Sequence, residues 1–395
     1  MRGLAPLRGH EAVRVMLATA ARRNELADTL LFLGPAGVGK QRLALWLAQY
    51  LLCEQPADTE PCGSCRACRM VLRLEHPDAH WFFPIPRPKV SGGPDRLADA
   101  LEESRAAELE ARRADPYYAI GSAELVGIYL AHAQVIRRMA LARPAMARRK
   151  IFVIGNAESL VPQEASPEAA NALLKLFEEP PTDTTIIATT SEPDAMLPTI
   201  RSRLQPVRVN PLPLPDVAAF LQDVRGLDAE RATLVARLAE GSPGRALAFV
   251  GADGEAGPFE EARQRAHDLL AAALDGAPAR RFGLALARQP FAARGDYATD
   301  LEFLRLWLRD LAAAASGATD QIINVDARVW LEKQAAALAR PDAPALAIAD
   351  VDEALRLTQF NINPQMGLNA VARAIARRLA ADEAWLAPAA PGSAT

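Results

Sequence analysis

Leu30-Leu31-Phe32-Leu33-Gly34-Pro35-Ala36-Gly37-Val38-Gly39-Lys40-Gln41-Arg42-Leu43-Ala44-Leu45-Trp46 sets the architecture of this chain. The four apolar residues Leu30 to Leu33 predict a buried strand. Gly34 to Gly39 is a glycine-rich turn, and Lys40 opens an apolar-periodic helix that runs to about Cys53. Strand, glycine-rich loop and helix in this order make a phosphate-binding loop. Its backbone N–H groups converge on phosphate oxygens, and the helix N-terminus adds positive potential. Gly34, Gly37, Gly39, Lys40 and Gln41 are therefore the candidate nucleotide-binding residues, with Lys40 reaching the β- and γ-phosphates. Gln41 breaks the motif. A Ser or Thr belongs there, to place a hydroxyl on Mg²⁺, and an amide oxygen is a poor substitute. Three outcomes stay open: hydrolysis, passive binding of ATP or ADP without turnover, or no nucleotide at all.

Directly after this helix come all four cysteines of the chain, Cys53, Cys62, Cys65 and Cys68. Their C-x8-C-x2-C-x2-C spacing, with Pro61 and Gly63 shaping the turn, suits tetrahedral Zn²⁺. Disulfides and idle thiols are the competing readings. A reducing compartment disfavours the first, and the crowding of every cysteine into one short stretch disfavours the second. Four thiolates leave no open coordination position, so the role is structural.

His76-Pro77-Asp78-Ala79-His80 offers three metal-capable groups, but reads more simply as a loop feeding a strand from His80 to Phe83. Residues 87 to 118 form an insertion, partly helical and mixed in charge, which reads as a solvated face. A helix follows over Leu125 to Leu141. From Arg137 to Lys150 there are six basic residues and no acidic one (Arg137, Arg138, Arg143, Arg148, Arg149, Lys150), a run that either meets nucleic-acid phosphates or forms an ordinary surface helix and turn.

Ile151 to Ile154 is a second buried strand. In phosphate-loop ATPases such a strand ends in Asp-Glu, which handles Mg²⁺ and water. Here Gly155-Asn156-Ala157 follows, and Glu158 is out of register, better placed to cap or pack. A helix from Ala169 to Glu179 stops at Pro180-Pro181. Strands at Thr184 to Thr190 and Pro206 to Val209 flank a short helix over Leu197 to Leu204. Strands alternating with helices predict a parallel α/β sheet. Pro211-Leu212-Pro213-Leu214-Pro215 marks a domain boundary, and everything beyond it is helical. The tail, Ala387 to Thr395, is rich in small residues and Pro and is expected to be disordered. Net charge is −3, which excludes a uniformly basic nucleic-acid coat. No window approaches a spanning helix, so a soluble, cytoplasmic protein with no membrane contact is expected.

Together these motifs resemble the clamp-loader subunits of bacterial DNA polymerase III, which are AAA+ proteins. The matching pieces are Gly34 to Lys40, the module Pro61-Cys62-Gly63-Ser64-Cys65-Arg66-Ala67-Cys68, Asn171-Ala-Leu-Leu-Lys-Leu-Phe-Glu-Glu-Pro-Pro181, Ile186 to Thr190, Leu197 to Arg203, and Asn361 to Met366. The resemblance implies an AAA+ phosphate-loop domain over residues 1–210, with a zinc module at about 53–68 and the insertion at about 87–118. A helical lid over 211–255, a helical collar for oligomerisation over 256–386 and the tail 387–395 complete it.

The family contains ATPase subunits, gamma and tau, and a non-hydrolysing subunit, delta prime. An ATPase subunit has Thr or Ser at position 41 and Asp-Glu at 155–156, and carries a sensor arginine where this chain has Gly244, with Arg245 one place late. These departures imply the delta-prime side of the family, with its own ATPase lost. The alternative is a gamma/tau-type ATPase in which Gln41 and Glu158 handle Mg²⁺. Ser202-Arg203 matches the family's Ser-Arg-Cys motif, although Leu204 replaces the cysteine. The resemblance makes Arg203 an arginine finger inserted in trans into a neighbour's ATP site. It implies gamma or tau and delta as ring partners, and the sliding clamp and primed DNA as what the complex handles.

Overall fold

The computed structural model describes residues 3–90, 94–118, 126–160, 167–251, 254–276, 278–288, 294–358 and 362–380. The expected tail and Asn361 lie outside the described residues. The chain divides into two compact units, one of Met1–Val217 with Gly241–Arg245, the other of Ala218–Glu240 with Ala246–Thr395.

The first unit begins with α1 (Glu11–Arg22), β1 (Thr29–Leu33), α2 (Lys40–Leu52), α3 (Arg66–Leu72), β2 (Ala79–Phe82) and β3 (Ile85–Pro86). It continues through α4 (Pro94–Ala114), β4 (Val126–Gly127), α5 (Leu130–Leu141), β5 (Lys150–Ile154), α6 (Glu168–Glu178), β6 (Thr184–Thr190), α7 (Pro198–Arg201) and β7 (Gln205–Arg208). Five strands form one parallel sheet in the order β2-β5-β6-β1-β7, as the alternation of strands and helices predicts. Successive side chains of a strand face opposite sides, and the core follows that rule. Leu30, Phe32, Ile151 and Val153 join α2 in one buried cluster. Leu31, Phe152, Ile154 and Ile186 join α5 and α6 in the other. Every residue of β5 and β6 is buried, as expected of central parallel strands covered on both faces.

The insertion departs from its reading as a solvated face. Leu101 on α4 is fully buried, and Leu97 and Leu109 pack on the same core. Residues 97, 101, 105 and 109 recur every four positions, so they line one side of the helix. Arginines complete that side. The Arg105 guanidinium lies 4.6 Å from the Phe82 ring centre, and that of Arg112 lies 4.2 Å from Phe83 and 4.6 Å from Trp81. Their stems bury on aromatic faces while the charge adds cation–π attraction. A count of charges sees a solvated helix where the structure has a lid of arginines over β2. The helix expected over Leu125 to Leu141 starts only at Leu130, because Val126 and Gly127 pair antiparallel with Pro86 and Ile85.

Straddling the two units, α8 (Leu214–Arg225) leads into the second, which holds α9 (Ala229–Leu238), most of α10 (Pro243–Phe249), α11 (Pro258–Leu274), α12 (Pro278–Leu286), α13 (Arg294–Ala315), α14 (Arg328–Ala336), α15 (Ala343–Leu357) and α16 (Pro364–Leu379). Phe249, Phe259 and Phe303 meet edge to face, their ring centres 5.5–5.7 Å apart. Buried Asp310 accepts the backbone N–H of Ile323 and Asn324 and the Asn324 amide. Arg263 grips Asp326 through Nη2 and Asn324 through Nε. No helix among the described residues is long and apolar enough to cross a membrane.

Candidate functional site

The phosphate loop joins the end of β1 to the start of α2. Gly39 caps α2 with φ 103, a left-handed conformation that glycine adopts without strain. Lys40 is buried, and its ammonium donates to the carbonyls of Gly34 at 2.8 Å and Pro35 at 2.7 Å and to Ser191 Oγ at 2.9 Å. An ammonium has three donors, so all are used within the chain. Burial draws the Lys40 pKa down to about 8, opposed by the Glu158 charge. The rest of the loop is held from outside. His10 Nε2 donates to the Val38 carbonyl at 2.8 Å. The Gly244 N–H donates to the Gly37 carbonyl at 2.8 Å. A Cβ on Gly244 would stand 3.0 Å from the Gly37 Cα and carbonyl oxygen. Gly244 thus rests on the loop by bare backbone.

The residues at the metal-handling positions face one another. Gln41 Nε2 donates to Asn156 Oδ1 at 2.9 Å, and Trp81 Nε1 donates to Gln41 Oε1 at 3.1 Å. A Cβ on Gly155 would lie 2.5 Å from Gln41 Oε1. Gln41, Gly155 and Asn156 therefore fit one another as a set, and an aspartate at 155 would collide with this Gln41 conformation. Glu158 is drawn against Thr190 and Ser191. Burial raises its pKa, and hydrogen bonds from the Thr190 hydroxyl and the Ser191 backbone work the other way.

Arg203 lies just past the end of α7. Its Nη1 donates to the Thr199 carbonyl at 2.7 Å, and its Nε is 3.5 Å from Glu178 Oε2. Thr29 Oγ1 donates to the Arg203 carbonyl at 3.1 Å. Thr29 opens β1, whereas the phosphate loop follows its other end. Four residue steps at about 3.3 Å each, roughly 13 Å, separate those ends, farther than an arginine side chain extends. Arg203 and Lys40 are not brought together.

The cysteine cluster is brought together. The four Sγ atoms lie within 4.8 Å of one another, and those of Cys62 and Cys68 are 3.9 Å apart. A tetrahedron with Zn–S distances of about 2.3 Å has edges of about 3.8 Å, so the donor set fits zinc. The thiols are unpaired by disulfides. Backbone N–H groups of Cys62, Cys65 and Cys68 each point at the preceding ligand's sulfur at 3.3 Å. Donation from the Cys65 and Ser64 backbone pulls the Cys62 pKa down to about 6, which favours the thiolate a metal needs. Burial pushes the Cys68 thiol up.

The His76–His80 group turns out structural, and so does one end of the basic run. Asp78 is buried and accepts the backbone N–H of Ala145, Met146 and Ala147 at 2.6–2.7 Å. His76 Nδ1 accepts the Asp78 N–H, and the His80 ring packs 4.9 Å from Phe152. In the basic run, Lys150 is buried and donates to the carbonyls of Met139, Ala140 and Ala142, so it caps α5 instead of facing solvent. Arg149 bonds Thr185 Oγ1 at 3.2 Å, while Arg137, Arg138, Arg143 and Arg148 are exposed. Sequence patterning missed His10, Trp81 and the Gly37–Gly244 contact. The usable signal was the joint departure at positions 41, 155 and 156.

A lysine folded onto the carbonyls of a glycine-rich loop, between a parallel strand and a helix, defines a phosphate-loop protein. The family model described as DNA polymerase III, delta subunit matches residues 9–213, more than half of the chain, and the chain belongs to that clamp-loader family of delta-prime and gamma/tau subunits. It is similar to DNA polymerase III subunit delta' of Pseudomonas aeruginosa, with 32% identity over 51% of this chain and 47% of that protein. The delta' subunit of Escherichia coli is 29% identical over 55% of this chain and 52% of that protein. Subunit gamma/tau of Mycobacterium tuberculosis is 28% identical over 60% of this chain and 34% of that protein. The chain thus spans about half the length of the delta' relatives it matches.

Proposed function

We propose that this chain is a non-hydrolysing, delta-prime-type clamp-loader subunit with an AAA+ domain, and that it lends Arg203 to the ATP site of a neighbouring gamma or tau subunit. The Gln41–Asn156 hydrogen bond, seconded by Trp81, carries the reading. It ties up side chains at two positions where an ATPase handles Mg²⁺, and neither side chain is an anion. ATP or ADP bound beside them would lack the metal that offsets developing charge. Arg203 has the opposite character. It keeps a guanidinium able to meet transition-state charge, and it sits out of reach of the chain's own Lys40.

In this reading Cys53, Cys62, Cys65 and Cys68 hold a structural zinc, which would clamp the segment after α2 and supply no reaction chemistry. Residues 211–255 act as the lid and 256–386 as the collar that assembles with gamma or tau and delta. The complex loads the sliding clamp onto primed DNA in the cytoplasm. Purification from its own cell should bring down gamma/tau and delta, and the isolated chain should turn over no ATP above background. Mg²⁺-dependent turnover by the isolated chain, abolished by Lys40→Ala, would instead make it a gamma/tau-type ATPase. Absence of clamp-loader subunits from the eluate would remove the assembly.

A further inference from the structure

We infer that Glu178 is a positioning residue for Arg203, and that Thr29 fixes the backbone from which that arginine projects. The inference rests on the proposed action of Arg203 in trans and names what prepares it. Two elements distant in sequence, β1 and α6, converge with the adjoining α7 on this residue. The last residue of α6, Glu178, sets a carboxylate oxygen 3.5 Å from Nε. Thr199, in α7, accepts from Nη1. From the first residue of β1, Thr29 holds the Arg203 carbonyl at 3.1 Å. The Thr199 bond alone would be unremarkable, since any arginine near a helix end can cap a carbonyl. The other two have no such general cause.

The geometry leaves the working edge open. A guanidinium carries five N–H donors in a planar fork. Glu178 faces Nε and Thr199 takes one hydrogen of Nη1. Nη2 makes no hydrogen bond among the described residues. The second Nη1 hydrogen and Nη2 form the edge that binds two phosphate oxygens at once. Glu178 therefore stands, at ion-pair and not hydrogen-bond range, on the side of the fork that the neighbour's nucleotide does not use, and its charge favours the rotamers that leave the other edge open. Arg201, two residues earlier, lacks such an arrangement and is spent on exposed Asp194 at 2.7 Å.

The test uses the reconstituted clamp-loader complex with clamp and primed DNA, and follows kcat and KM for ATP. Arg203→Ala sets the reference loss. Glu178→Ala should lower kcat about fivefold, the scale of one partly exposed ion pair, with KM changed less than about twofold. Thr29→Val, which removes the donor and keeps the shape, should move kcat in the same direction. The double variant Glu178→Ala/Arg203→Ala should equal Arg203→Ala alone, because a positioning residue has nothing left to position. Assembly by size-exclusion chromatography should be unchanged. If Arg203→Ala loses activity and Glu178→Ala does not, or raises kcat, or adds a further loss in the double variant, this inference is overturned while the role of Arg203 stands. If Arg203→Ala itself changes nothing, the proposed function fails first.

Discussion

Gln41 and Asn156 are joined side chain to side chain by a 2.9 Å hydrogen bond across 115 residues of sequence. Both stand where a phosphate-loop ATPase handles its metal. The Trp81 indole seals the pair from the Gln41 oxygen side, and Gly155 leaves the room the amide needs. Restoring one member should therefore restore nothing. Gln41→Thr removes both hydrogen bonds of the amide and should cost about 1–2 kcal/mol of stability in urea unfolding, with no Mg²⁺-dependent ATP turnover gained. Turnover from that single change would show that residues 155–158 still handle metal.

The Gly37–Gly244 contact yields a second prediction. Gly244→Arg restores the residue type that ATPase relatives are expected to carry, but its Cβ would press on the Gly37 backbone at 3.0 Å. The two chain segments must part to admit it. Stability should fall by about 1–3 kcal/mol, and binding of a fluorescent ATP analogue should not improve. Tighter binding without loss of stability would mean that the loop and the start of α10 part freely.

Asp78 gives the chain a pH dependence. Burial alone would raise its pKa, but the N–H groups of Ala147, Ala145 and Met146 outweigh that and hold it below the ordinary 3.8. The sign follows from a depressed folded-state pKa. The stabilisation is fully present above the unfolded value near 3.8 and is lost as pH falls below it towards the folded value. Asp78→Ala should cost about 2–4 kcal/mol at pH 7, and the gap to the parent chain should narrow as pH drops through 4. A gap of constant size across that range would exclude the carboxylate as its source.

The cysteine cluster predicts about one zinc per chain by elemental analysis of reduced protein, and a fall in melting temperature on chelation. Cys65→Ser should abolish stoichiometric metal. Metal-free protein of unaltered stability would leave the four thiols without a role.

How much of this could be read beforehand follows from the range of each interaction. β1, its loop and α2 are contiguous, and the four cysteines lie between Cys53 and Cys68, so local patterning found both. The bounds of α1 are set by backbone geometry that apolar spacing does not reveal, since His10 and Asn24 turn to positive φ and leave only Glu11–Arg22 helical. The packing of α4 was hidden by its charge, since Arg105 and Arg112 look solvated until Phe82, Phe83 and Trp81 are known to lie beneath them. Lys150 reads as one more basic residue until the carbonyls at the end of α5 are seen around it. Asp78 and Gly244 act on partners far away in sequence. No periodicity announces such contacts.

In the proposed function the chemistry of this chain is exerted by Arg203 on another subunit's nucleotide. The direct measurement is clamp- and DNA-stimulated ATP turnover by complexes assembled with Arg203→Ala in this subunit alone. The expected result is loss of turnover at the neighbouring site by about 10³-fold, the lower range for removal of an arginine finger, with assembly intact. A total rate equal to that of the parent complex would contradict it.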